Sequence, residues 1–176
     1  VEANETFHVN LSNIQGNDAN VPDPTPGDNQ GLGTINNDDS ATVAINDVMV
    51  TEGNSGTANA VFSVSLTGLV DKPVTVNFAT ANGTATAPSD FATNSGSVTF
   101  AANTNAAQSI TVVVNGDTSQ EADETFFVNL TPNAFPYAGV TIADNQGQGT
   151  IKNDDSTTPP NLTASMTDPF VCNGVG

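Results

Sequence analysis

The pattern of this chain predicts an all-β protein, an immunoglobulin-like antiparallel β-sandwich of about seven strands per repeat, arranged as tandem repeats. Three observations carry that prediction: apolar residues recur with a period of two, clusters of Gly, Asn and Pro separate the apolar runs, and the chain repeats itself. No stretch carries the 3.6-residue period of a helix of any length.

The strands follow in order. Val43 and Ile45 form the first of the complete repeat. Ala60, Phe62, Val64 and Leu66 then alternate with Ser63 and Ser65, and Val74, Val76 and Phe78 alternate with Thr75 and Asn77. Successive side chains of a strand point to opposite faces, so this alternation describes ribbons with one face buried and one wet. Val98 with Phe100, then Ile110, Val112 and Val114, then Phe126, Val128 and Leu130, then Val140 with Ile142 complete the set. Seven short strands in a little over a hundred residues fit two packed sheets, without the Cys, Trp, Cys pattern of antibody domains.

The repeat is read directly. Val1-Glu2-Ala3-Asn4-Glu5-Thr6-Phe7-His8-Val9-Asn10-Leu11 returns as Gln120-Glu121-Ala122-Asp123-Glu124-Thr125-Phe126-Phe127-Val128-Asn129-Leu130, a displacement of 119. Asp28 to Asp39 returns as Asp144 to Asp155, a displacement of 116. The difference of three places an insertion in the stretch holding Pro22, Pro24, Pro26 and Gly27, as expected of an exposed loop. Residues 1–39 therefore read as the C-terminal third of a preceding repeat and residues 40–155 as a complete one. Residues 156–176 read as a Pro/Thr linker with the start of a following segment. A chain that starts without Met and in mid-pattern reads as a piece of a longer or processed protein.

Composition narrows the function classes. Nineteen Asp and Glu stand against Lys72 and Lys152, giving a formal net charge of −17. Such a surface repels phosphate backbones and anionic lipid, so nucleic acid is excluded as a partner and cations become the plausible small ones. The lone Cys172 allows no internal disulfide, although it could pair with another chain. No apolar run approaches the roughly 20 residues of a membrane-spanning helix, so direct membrane insertion is not expected. The chain shows no nucleophile with a base beside it, no phosphate-binding Gly loop and no Cys/His metal pattern, so no catalytic residue is assigned and the chain is not expected to be an enzyme. His8, the only histidine, takes the place of Phe127 in the repeat and faces away from Phe7 and Val9, as a surface residue would.

The acids are concentrated at strand ends, where the loops of a sandwich gather at two poles. If Glu52, Asp90, Asp117, Glu121, Glu124, Asp154 and Asp155 meet at one pole, their repulsion needs a compensating charge, and only Lys152 is near in sequence. A hard divalent cation with six to eight oxygen ligands supplies it. Mg²⁺ keeps its waters and uses few carboxylates, so this many acids favour Ca²⁺, and zinc lacks its Cys and His ligands.

The segments carrying these acids resemble a Calx-beta domain. The resemblance rests on Val50-Thr51-Glu52-Gly53 with Gly56, on Asn82-Gly83-Thr84-Ala85-Thr86-Ala87-Pro88-Ser89-Asp90-Phe91, on Gly116-Asp117 through Glu121-Ala122-Asp123-Glu124-Thr125-Phe126, and on Gly149-Thr150-Ile151-Lys152-Asn153-Asp154-Asp155. It implies Ca²⁺-ligand roles for Glu52, Asp90, Asp117, Glu121, Glu124, Asp154 and Asp155. It also implies a second, partial site at Glu2, Glu5, Asp38 and Asp39. Gly116 and Asn153 stand where stronger binders of the family carry acids, which implies one or two ions and a constitutively filled site.

The expected function is a calcium-binding structural or adhesive module of an extracellular, bacterial-type cell-surface protein, in which Ca²⁺ rigidifies the domain pole and the junction to the next repeat. Neighbouring repeats, of the same or identical chains, are the expected partners, with an adhesion ligand left open. An unfinished N-terminal third also allows a filament, a homopolymer completed by strands of a neighbouring chain. The calcium sensor of a membrane exchanger is a third reading.

Overall fold

The computed structural model describes residues 1–12 and 30–156, so the Pro22–Gly27 insertion, the linker beyond Ser156 and Cys172 lie outside the described residues. The strands are β1 (Glu5–Asn10), β2 (Gln30–Ile35), β3 (Ala41–Ile45), β4 (Val48–Thr51), β5 (Thr57–Thr67) and β6 (Val74–Asn82). They continue with β7 (Ser95–Phe100), β8 (Gln108–Asn115), β9 (Glu124–Pro132), β10 (Val140–Ile142) and β11 (Gln146–Lys152). No helix occurs among the described residues.

Two sheets make the sandwich. One has the order β10-β3-β5-β8 and the other β4-β11-β9-β6-β7. Period-two burial is visible in β5, where Ala60, Phe62, Val64 and Leu66 are buried and every residue between them is exposed. Those side chains meet Val74 and Val76 of β6 and Phe126, Val128 and Leu130 of β9 in a single core. Phe126 crosses between the sheets, edge-on to Phe62 of β5 with ring centroids 5.9 Å apart. It also stacks on Phe91, from the β6–β7 connection, at 4.7 Å and 22°. Both arrangements favour the ring quadrupoles and fix the spacing of the layers.

The expectation of about seven antiparallel strands is corrected in two respects. Nine strands lie between Ala41 and Lys152, and two pairs are parallel, β10 with β3 and β11 with β4. The chain changes sheet at Asn46-Asp47, so one run of sequence supplies an inner strand, β3, to one layer and an edge strand, β4, to the other. Asn46 Oδ1 accepts from Ser63 N at 2.6 Å, and Asp47 Oδ1 accepts from Gln148 N at 2.7 Å. These two side chains thus take over backbone donors on either side of the crossing, which is the ordinary work of Asn and Asp in a break.

A separate two-stranded sheet, β1 with β2, precedes the sandwich. Its register, Glu5↔Ile35 through Asn10↔Gln30, is that of β9 with β11, Glu124↔Ile151 through Asn129↔Gln146. Val1, ahead of β1, is buried in the core of the sandwich; its nitrogen donates to Leu69 O and its carbonyl accepts from Asp71 N at 3.1 Å. Strand β5 runs the length of the sandwich, so this contact lies at the end opposite to Glu52.

Candidate metal centre

Each acidic segment enters one pole from a strand end. Glu52 follows β4 and is the one buried charged residue among those described, 7% exposed. Gly53, at φ 80°, occupies the left-handed region that side chains resist. There its N–H donates to Asp154 Oδ1 at 3.0 Å, and Asn54 Nδ2 donates to Asp155 Oδ1. Parallel pairing of β4 with β11 ends at Thr51↔Lys152, which brings Glu52 beside the acids that follow β11. Ligand oxygens of Glu52, Asp154 and Asp155 lie within 4.8 Å of one another, the one such group among the described residues.

The electrostatics match that geometry. Burial pushes Glu52 up to about 7, and the negative charges of Asp117, Glu121, Asp155 and Asp154 push in the same direction. A second pair sits alongside. Burial raises Glu124, as do the charge of Asp90, a hydrogen bond shared with it, and the charge of Glu121. Burial would raise Asp90 as well, but hydrogen bonds from Thr86, Ser89 and Glu124 outweigh it and hold this carboxyl below its usual range. Thr86 N donates to Asp90 Oδ2 at 2.7 Å. The Asp90 loop is itself tied to the end of β8 by Asn115 Nδ2, which donates to Pro88 O and Ser89 O at 2.9 and 2.8 Å.

The seven acids expected to act together therefore form two groups. Glu52, Asp154 and Asp155 are in contact range, Asp117 acts on Glu52 through its charge, Asp90 pairs with Glu124, and Glu121 bears on both groups. Glu2, Glu5, Asp38 and Asp39 are all exposed and do not form a three-carboxylate cluster of this kind. Asp123 is diverted: its carboxylate takes the Lys152 ammonium in an exposed ion pair, which lowers it. The one cation close to this pole in sequence is thus engaged away from Glu52.

Packing adds one oxygen to the expected ligands, that of Asn153, and explains the glycine at position 116. Asn153 Oδ1 and Asp155 Oδ2 are buried oxygens with no hydrogen-bond partner, a costly arrangement unless something positive meets them. Asn153, the apparent departure from the acidic pattern, thus offers a neutral oxygen, while its Nδ2 is occupied with Asp155 O at 3.0 Å. Gly116, the other departure, is enforced by packing. A Cβ there would stand 2.2 Å from Gly53 O and 2.7 Å from Glu52 O, so no acid fits. Unpartnered buried oxygens, crowded carboxylates and neutral amide oxygen form a donor set that fits Ca²⁺.

The family model of the Calx-beta domain matches residues 35–155. Among solved structures, the apo form of the Calx CBD1 domain aligns with TM-score 0.57 at 23% identity, over 66% of this chain and all of that one. The calcium binding domain CBD12 of CALX1.1 aligns at 0.55 and 22%, over 66% of this chain and 47% of that one. The Calx CBD2 domain aligns at 0.51 and 16%, over 64% and 86%. At these identities the likeness is one of fold. No curated protein matches the chain.

Proposed function

This chain belongs to the Calx-beta domain family, and from that premise we propose that its sandwich is a calcium-binding structural module of an extracellular surface protein. The pole built from Glu52, Asp154 and Asp155 takes the ion, with Asn153 and the Asp90–Glu124 pair completing or flanking it. The observation that carries this reading is the buried Glu52 within 4.8 Å of two further carboxylates, beside the orphaned Asp155 Oδ2. A bound cation reverses the repulsion that raises Glu52 and satisfies that oxygen at the same time. The role is mechanical and non-catalytic: the ion ties the β4–β5 loop to the tail of β11.

Two observations support a role at a junction. Val1 is seated in the core of the sandwich at the far pole, and the acids Glu2, Glu5, Asp38 and Asp39 stand at that same end, next to the start of β3. Repeats stacked end to end would place the acidic pole of one against the Leu69–Asp71 turn of the next, so that calcium sets the angle between them. Extracellular calcium is near millimolar, enough to fill a site of the weak class found in extracellular modules.

Thermal unfolding tests the reading. A tenfold excess of calcium over Kd stabilises by about 1.4 kcal/mol, and about 4 °C per kcal/mol gives a midpoint rise of about 6 °C over chelator. Equal midpoints in calcium and chelator would remove the metal site and with it the proposed role.

A further inference from the structure

The β1–β2 hairpin reproduces the β9–β11 pair in detail. Gln30 Nε2 donates to Asn10 Oδ1 at 2.9 Å, as Gln146 Nε2 does to Asn129 Oδ1 at 2.8 Å. Phe7 lies over Gly33 as Phe126 lies over Gly149, each ring 2.3 Å from where a Cβ would be. Asn37 N donates to Asn4 Oδ1 as Asn153 N donates to Asp123 Oδ1. The surroundings differ completely. Phe126, Val128, Leu130 and Ile151 are 0% to 3% exposed, whereas Phe7, Val9, Leu11 and Ile35 are 50% to 54% exposed. A two-stranded hairpin with a bare apolar face is marginal on its own.

The sandwich shows what covers such a pair. Strand β6 adds antiparallel to β9 and β4 adds parallel to β11, while Phe62 and Phe91 close over Phe126. All of these come from residues 41–119. We propose that the Phe7, Val9, Leu11 and Ile35 face is an acceptor surface whose occupant is the first two thirds of a repeat of this chain's own type, patterned like residues 41–119 and entering ahead of Val1. The β1 edge then takes a β6-like strand, with Phe7 opposite an Asn82 equivalent and Val9 opposite a Thr80 equivalent. The β2 edge takes a β4-like strand, with Gly33 opposite a Val48 equivalent. Two copies of the hairpin packed face to face would cover the apolar residues but leave all four strand edges unpaired, and each copy carries a net charge of −17. Residue 119 adjoins Gln120, the counterpart of Val1, so the occupant's chain end arrives where it is needed. As an amide, the Val1 nitrogen still keeps the N–H that it donates to Leu69. None of this requires calcium.

The test joins a copy of residues 41–119 to Val1 of the intact chain and follows amide hydrogen exchange in chelator. Residues 5–11 and 30–35 should exchange at least about 100-fold more slowly than in the unextended chain, and anilinonaphthalene sulfonate fluorescence should fall. Phe7→Asp in the extended chain should restore fast exchange in the hairpin while β5 of the resident sandwich stays protected. A hairpin that still exchanges fast in the extended chain overturns the proposal. So does sedimentation of the unextended chain as a concentration-dependent dimer that Phe7→Asp dissociates, which would assign the face to a second copy.

Discussion

Replacing Glu52 by Gln should stabilise the metal-free protein and abolish its response to calcium. Glu52 titrates at about 7 in the fold against 4.5 for a free glutamate, a difference of about 2.5 units. At 1.36 kcal/mol per unit this is about 3 kcal/mol. The sign follows from proton counts. Between pH 4.5 and 7 the folded state holds a proton that the unfolded chain has released, so stability falls as pH rises through that window and the penalty is fully present above it. Gln keeps the shape and carries no charge. In chelator at pH 8 the variant should therefore unfold up to about 12 °C above the parent, at about 4 °C per kcal/mol, less whatever the buried amide costs. At pH 4 the two should coincide. Calcium should raise the parent and leave the variant unmoved, because a formal ligand charge is gone. Scanning calorimetry at the two pH values, with and without calcium, measures all four quantities. A variant no more stable than the parent at pH 8 in chelator, or a gain equal at both pH values, would refute the electrostatic reasoning.

Other perturbations probe separate links. Asp155→Asn should weaken calcium binding by at least about tenfold in titration calorimetry, since it removes charge from the carboxylate whose Oδ2 lacks a partner. Glu124→Ala should leave a calcium-dependent rise in midpoint, but a much smaller one than in the parent. Gly116→Asp, although it adds an acid to the pole, should destabilise by about 1–3 kcal/mol in denaturant melts through collision with the Glu52 and Gly53 carbonyls, without tightening calcium. Phe126→Ala should cost about 3–5 kcal/mol, because it removes the ring that joins Phe62 to Phe91 across the layers.

The fold class and the seven strands with clean alternation were legible, because a half-buried strand writes its period into the sequence. Strands β4 and β11 were not. Gln146-Gly147-Gln148-Gly149 has polar residues outward and glycine inward, and the inward glycines exist because Phe62 and Phe126 already occupy the space above them. An apolar-alternation reading finds nothing there. β4 hid for another reason: Val48 to Thr51 is short and follows β3 after only two residues, across which the chain changes sheet. The parallel pairs follow from that change of sheet, which local pattern does not report. At the site, clustering of the acids was readable from their strand-end positions and from the family resemblance. Their division into a Glu52 group and an Asp90–Glu124 pair was not, since it depends on which loop each strand end meets. Asn153 lacks charge and so gives no sign of a ligand in the sequence, yet its carbonyl oxygen is buried and unpartnered, a property of packing rather than residue type. Gly116 reads in the sequence as a lost ligand, and is instead the position where two loops touch.

Calcium titration by isothermal calorimetry at pH 7, in two buffers of different ionisation enthalpy, tests the central claim most directly. Glu52 is about half protonated at that pH, so binding should be saturable and should release at least about half a proton per ion. No saturable heat in either buffer, or binding without proton release, would contradict a cation at the Glu52 pole.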